Sequence, residues 1–291
     1  TIQLGKEFLS DFNRFAEETV YITDGNLDIS GAPEIYVNRL AREIAPIRVT
    51  GNHGSELLRS IRWMKATMPD NSLFDQACSS LFPVAMEHYD SLKSVHPLTF
   101  TFFLESPWHE CNRYLSESSQ MVVRTPYQDK DLVALMYRAP LGIRDDKEVS
   151  KRLILDGNPG LAKILTDRGV GAKYPYPLSL VPRLYNEAFF KCEYYCNYGM
   201  PQWLSKIDYL LKPLKPERLF LGRHKFYHFR VWYRDELADY VRAVLLDRKS
   251  LERPYLDAAV VKSMVSGHLR GTSNHTIEIT KLMTLELVNR L

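Results

Sequence analysis

At 291 residues and 45% hydrophobic, the chain is long enough to bury a large core as one big domain or two ordinary ones. Its net charge of +3 arises from Lys and Arg scattered among Asp and Glu, so no basic face points to nucleic acid. No apolar run approaches the roughly 18 residues of a membrane span, and no secretory signal pattern stands at the start, so the cytoplasm is the expected compartment. Cys78, Cys111, Cys192 and Cys196 are too few and too irregular for a disulfide framework. Cys192 and Cys196 share a helix face and read as small buried apolar residues rather than metal or redox ligands. The chain opens on Thr1 rather than Met, which reads as a fragment or a processed product.

In chain order, Leu4, Phe8, Leu9, Phe12 and Phe15 fall at helical spacing and predict a helix from Gly5 to Glu18. Val20-Tyr21-Ile22-Thr23 is rich in β-branched residues and reads as a strand closed by the Asp24-Gly25 turn. Ser30 is the expected N-cap of a helix over Ala32–Ala45. The apolar run from Ile44 to Val49 then predicts a buried strand, followed by the turn Thr50-Gly51-Asn52-His53-Gly54 and a helix from Ser55. Such a turn aims backbone N–H groups and the positive end of a helix dipole at one spot, which favours an anion, although most strand–Gly–helix turns are only connections. Helix, strand, helix, strand and helix with short connections argue for a parallel sheet with crossover helices. Its ligands would gather at the carboxyl ends of the strands, beside Asp24 and the glycine turn.

Further along, helices are expected over Leu73–His88, Pro97–Leu104, Trp108–Gln120, Asp129–Tyr137 and Lys147–Leu155, and an ordered loop over Gly169–Pro182. More helices follow over Leu184–Tyr198, Pro201–Leu211, Tyr233–Leu246, Ala258–His268 and Glu278–Leu291. His224 and His228 stand four apart but among cations, a pattern that suits a basic-aromatic surface better than a metal site. His53, within the glycine turn, reads either as a ligand contact or as a turn-filling side chain bonded to backbone.

Several of these strings together resemble the synthetase domain of the asparagine synthase family. They are Asp24-Gly25-Asn26-Leu27-Asp28, Pro33-Glu34-Ile35-Tyr36-Val37-Asn38-Arg39-Leu40-Ala41-Arg42, Thr50-Gly51-Asn52-His53-Gly54-Ser55-Glu56-Leu57, Val123-Arg124-Thr125-Pro126-Tyr127-Gln128-Asp129 and Ser150-Lys151-Arg152-Leu153. They are similar to the family's D-E-P-x-x-D, P-x-Y-L-L-S-R-L-A-R, S/T-G-D/E-G-G/S-D-E-L, V-R-V-P-F-L-D and E-K-x-x-L-R, in the same order from about Asp24 to Arg168. The resemblance implies an α/β fold, a partial parallel sheet with crossover helices of the adenine nucleotide alpha hydrolase type. Residues 1–175 would form that core and its active-site helices, and 176–291 a mostly helical C-terminal region.

The implied activity is an ATP-dependent amidoligase, which adenylates a small carboxylate substrate and lets ammonia displace AMP. Lys151, Asn52 and Glu56 would be the catalytic group. Thr50, Gly51, Asn52, Gly54, Ser55, Asp24 and Arg168 would hold ATP, with Glu56 toward Mg²⁺, and Asp24, Asp28, His53, Arg124 and Asp129 would wall the substrate pocket. Arg124 and Asp129 read equally as a buried Arg–carboxylate brace.

The chain also departs from the pattern. It contains no S-G-G-x-D-S ATP loop and no glutaminase domain, so a partner half on the same or another chain is implied. Asn52 and Ser55 stand where the family has acids, Gly25 replaces the acid after Asp24, and Arg168-Gly169-Val170 lacks the lysine near pyrophosphate. Losing hard oxygen ligands and phosphate clamps costs several kcal/mol, or factors of about 10³ in rate. Alone, the chain is expected not to complete adenylation, and the alternative reading is an inactive binding or scaffolding module.

Overall fold

Phe12, Phe15, Ala16, Thr19, Val20 and Thr23 recur at three- and four-residue spacing, and all are buried on one side of a single helix. The computed structural model describes residues 2–59, 66, 68–140, 148–164, 180–211, 222 and 226–291. Helix α1 covers Lys6–Ser10 and α2 covers Phe12–Thr23. The strand expected over Val20–Thr23 is therefore the last turn of α2. Thr19 and Thr23 each donate a hydroxyl hydrogen to the carbonyl four residues back, at 2.7 Å, which settles these β-branched residues into the helix. Asp24 stops the helix in the left-handed conformation, φ 51°, and its N–H donates to the Val20 carbonyl.

The expected α/β fold is not what the chain forms. Among the described residues the sheet has only two three-residue strands, β1 (Ile47–Val49) and β2 (Val122–Arg124), paired in parallel with Ile47 opposite Val122 and Val49 opposite Arg124. No adenine nucleotide alpha hydrolase-like sheet is present there, and helices dominate. The run leading to Val49 is not buried either: Ile44 is 82% and Val49 69% exposed, because a two-stranded sheet has no second layer over its outer face. Its inner face is polar, where Arg48 donates to Asn38 Oδ1 at 2.8 Å and lies 3.5 Å from the buried Glu117 carboxylate.

Helix α3 (Ala32–Arg42) leads into β1, and α4 (Gly54–Arg59), α5 (Gln76–Ser79) and α6 (Leu81–Leu92) follow between the strands. Ser30 does not cap α3, whose N-cap is Gly31 with no side-chain hydrogen bond; Asp28 instead caps the preceding 3-10 turn Ile29–Gly31, its Oδ1 accepting from the Ser30 N–H at 3.0 Å. The two helices expected over 97–120 form one rod, α7 (Pro97–Thr99), a π-helical stretch Phe100–Glu110 and α8 (Cys111–Ser118). Pro107 sits inside the π-helical stretch, where the altered hydrogen-bond pattern accommodates its missing N–H. Then come α9 (Lys130–Arg138), α10 (Glu148–Gly157), α11 (Leu180–Cys196), α12 (Gln202–Leu211), α13 (Phe229–Arg234), α14 (Ala238–Leu245), α15 (Arg248–Leu251), α16 (Ala258–Arg270) and α17 (Thr276–Val288). Most of the loop expected at Gly169–Pro182 lies outside the described residues.

Two hydrophobic cores result. The larger joins Phe8, Phe12, Phe15, Ile35 and Tyr36 with Trp232, Tyr233, Val265, Ile279 and Met283, so the first and last parts of the chain share it. Each such side chain contributes about 1.5–3 kcal/mol by leaving water. The smaller core is Leu57, Leu58, Leu98 and Met136, with Tyr127 and Val149 against it, and it carries the glycine turn. None of the four cysteines forms a disulfide, and Cys192 is exposed rather than buried, since its side of α11 faces solvent. No helix among the described residues is long and apolar enough to cross a membrane.

Candidate functional site

The β1–α4 turn and the β2–α9 segment leave the carboxyl ends of adjacent parallel strands and lock together. The Thr50 N–H donates to the Arg124 carbonyl at 2.9 Å. Gly54 approaches the Tyr127 ring so closely that a Cβ there would lie 2.9 Å from Cε2. Gln128 Nε2 reaches His53 Nδ1 at 3.3 Å. Asn52 takes its backbone N–H to Thr50 Oγ1, 3.3 Å.

His53 is the centre of the turn. It is buried and holds φ 65°, a left-handed conformation that is uncommon outside glycine and that clusters at functional sites. The expected backbone partner is absent; side chains hold the ring instead. Ser106 Oγ lies 2.7 Å from Nε2 and the Tyr114 hydroxyl 3.0 Å from Nδ1, and the Phe102 and Tyr114 rings stack on it at 5.4 and 5.9 Å. Burial lowers the His53 pKa against the opposing pull of Glu110, so the ring is neutral. The Gln128 amide nitrogen can only donate, which makes Nδ1 the acceptor, and the Tyr114 hydroxyl approaches the same nitrogen. Nε2–H then donates to Ser106. That tautomer cannot accept a proton from Ser106, so the pair is a brace and not a nucleophile with its base.

Beside the turn lies a cavity of about 460 Å³, bounded by Gly51, Asn52, His53, Ser55 and Glu56 from the turn and by His109, Glu110 and Arg113 from the rod, so that of the expected pocket residues His53 does line it. Burial raises the Glu56 pKa, its own backbone N–H opposes this, and Glu110 and Glu105 add to the rise. Burial likewise raises the Tyr114 pKa. Among the described residues the buried Asn52 Nδ2 has no hydrogen-bond partner; it lies near enough to bias the Tyr114 hydroxyl but outside bonding geometry. A buried donor left open costs about 1–3 kcal/mol unless a ligand oxygen accepts from it.

The other expected residues scatter. Asp129 caps α9, its Oδ1 accepting from the Asp131 and Leu132 N–H groups, and both Asp129 and Arg124 are exposed, so they form no buried brace. Asp24 and Asp28 leave α2 toward α17: Gly25 abuts Thr284 and Val288, and Asp28 lines a different cavity beside Thr276 and Thr280. Asp24 stood at a strand end only while Val20–Thr23 was read as a strand; a helix carries it elsewhere. Lys151 lies on α10, whose Val149 packs against the core under the turn. Arg168 and His224 lie outside the described residues. Among the described residues no group of three His, Cys, Asp or Glu side chains converges to hold a metal. Glu56 and Glu110 are the acids on the cavity wall.

His109, Glu110, Arg113 and Tyr114 were not expected here. Their spacing places them on one side of a rod, but nothing in the sequence ties that rod to a turn some fifty residues earlier. No family model, curated protein or solved structure matches the chain.

Proposed function

We propose that the chain supplies the acceptor side of an asparagine synthase-like, ATP-dependent amidoligase, with a small carboxylate as substrate. The observation that carries this reading is the junction of the two resembling segments, Thr50–Leu57 and Val123–Asp129, around one cavity with an unsatisfied Asn52 amide. Asn52 Nδ2 would donate to an oxygen of the carboxylate, and the open Gly51 backbone lets the substrate approach the turn. Glu56, with its raised pKa, is suited to take a proton from the attacking ammonia, because a base titrating nearer neutrality transfers protons more effectively. ATP, when bound, supplies the adenylyl group, and Lys151 would offset charge on its phosphates. The described acids do not make a Mg²⁺ site by themselves, since Ser55 and Asn52 offer no carboxylate. The missing ATP loop and an ammonia source would come from the same or another chain, in the cytoplasm, where ATP and free thiols coexist.

The test is calorimetric titration with L-aspartate and, separately, with MgATP. Asn52→Leu should weaken aspartate, and Lys151→Ala should weaken MgATP, by tenfold or more, about 1.4 kcal/mol each. Failure of both ligands to bind overturns the reading. His53 locked by its neighbours and the loss of two acids favour a second reading, a catalytically inactive binding module. Aspartate heat with no MgATP heat selects it.

A further inference from the structure

Asp28 lines a cavity of about 420 Å³ that shares no residue with the one beside the glycine turn. Its walls are aromatic: Tyr198, Phe226, Tyr227 and Phe229, closed by Thr276 and its neighbours on α17. The threonine hydroxyls are already committed, Thr276 donating to Asn274 Oδ1 at 2.6 Å and Thr280 to the Thr276 carbonyl at 2.8 Å. Asp28 Oδ1 is taken by the Ser30 N–H and hydroxyl. Among the described residues, Oδ2 accepts no hydrogen bond and no Lys or Arg bounds the cavity. The described walls therefore combine one carboxylate that has no cationic partner among them with the faces and edges of four rings.

Tyr227 adds to this. Its hydroxyl donates to Glu34 Oε1 at 3.0 Å, and burial together with that carboxylate raises its pKa. A phenol that donates to a carboxylate has a more electron-rich ring, and a cation over an aromatic face gains about 0.5–2 kcal/mol, more when water is excluded. Phe229 is buried at the base of the cavity and Phe226 is 72% exposed at its rim. The volume falls within the usual range for small-molecule sites, roughly 300–1,000 Å³.

We propose that this cavity binds an organic ammonium ion, its charge paired with Asp28 and its alkyl groups packed among Tyr198, Phe226, Tyr227 and Phe229. A hydrophobic neutral ligand would satisfy the rings but leave the carboxylate without a counterion. An anion would face Asp28 at close range. A strongly hydrated metal ion would find one carboxylate and no further acidic ligands.

The probe is choline, titrated calorimetrically against the whole chain, with its uncharged isostere 3,3-dimethylbutan-1-ol in parallel. Choline should bind, the alcohol should bind at least tenfold more weakly, and Asp28→Asn should lower choline affinity at least tenfold. Asparagine still caps the Ile29–Gly31 turn, so that variant stays folded by circular dichroism. Phe226→Ala removes an exposed ring and should lower choline affinity severalfold without touching the core. Equal binding of the alcohol, no choline binding, or full choline affinity in Asp28→Asn overturns the proposal.

Discussion

Gly54→Ala tests the junction on which the candidate site depends. An ideal Cβ at Gly54 would lie 2.9 Å from Tyr127 Cε2, 3.1 Å from Cδ2 and 3.2 Å from Cζ, so the ring or the turn must move. Tyr127 has little room to retreat, because it packs against the Leu57, Leu58, Leu98 and Met136 core. Overpacking of this kind costs about 1–3 kcal/mol, offset by the ~0.5–1 kcal/mol that alanine gains over glycine in a helix. The expected net loss is about 1–2 kcal/mol, read as a lower urea midpoint with an unchanged slope. Tyr127→Ala is destabilising in its own right, but in that background Gly54→Ala should cost nothing or become stabilising. The coupling in the double-mutant cycle should therefore be about 1–3 kcal/mol, the overpacking term itself. Additivity within about 0.5 kcal/mol would refute the close approach of the two segments.

Three further outcomes are expected. His268 is buried, accepts from the His275 N–H at 3.0 Å, and its Nε2–H donates to the Arg230 carbonyl at 3.2 Å; burial holds its pKa down to about 3. The unfolded chain binds this proton near pH 6.5, so stability present above that pH is lost toward pH 3 at ~1.4 kcal/mol per pH unit, or ~2.7 kcal/mol by pH 4.5. His268→Gln should remove that slope, and equal acid sensitivity of the variant in urea titrations at pH 7 and 4.5 would contradict the assignment. Asn52→Leu should leave unfolding stability unchanged or raise it by up to about 1 kcal/mol while weakening aspartate binding tenfold or more, since a buried donor without an acceptor does not stabilise the fold; a loss above 1 kcal/mol in thermal unfolding would reveal a partner. Gly25→Ala meets both a φ of 71° and the Val288 side chain, and should cost at least about 2 kcal/mol, part of which Val288→Ala restores; a neutral result would sink the packing of that turn on α17.

The sequence revealed the helices wherever apolar spacing and flanking polar residues agreed. The segment Lys130–Arg138, capped by Asp129, falls within a residue of its expected bounds, and so do Gln202–Leu211 and the start of Ala258–Arg270. It misled where composition and periodicity disagreed. Val20-Tyr21-Ile22-Thr23 has the residue types of a strand, but Phe12, Phe15, Ala16, Thr19, Val20 and Thr23 keep helical spacing without a break, and burial follows spacing. That one misreading also misplaced Asp24 and Asp28, because a strand end and a helix end point to different sides of the molecule. The glycine turn was legible as a turn, and its facing wall was not. Glu110 and Arg113 come from a rod whose register is set by an eleven-residue π-helical stretch, which no simple apolar period encodes.

The larger core has a consequence for biosynthesis. Phe8, Phe12, Phe15 and Tyr36 pack on one another, but the side of that cluster that takes Trp232, Tyr233, Ile279 and Met283 stays uncovered until those residues have been made. At 5–20 residues per second, translating the stretch between Tyr36 and Phe229 takes about 10–40 s. For that interval the nascent chain trails a half-covered aromatic cluster, an invitation to chaperones on the ribosome.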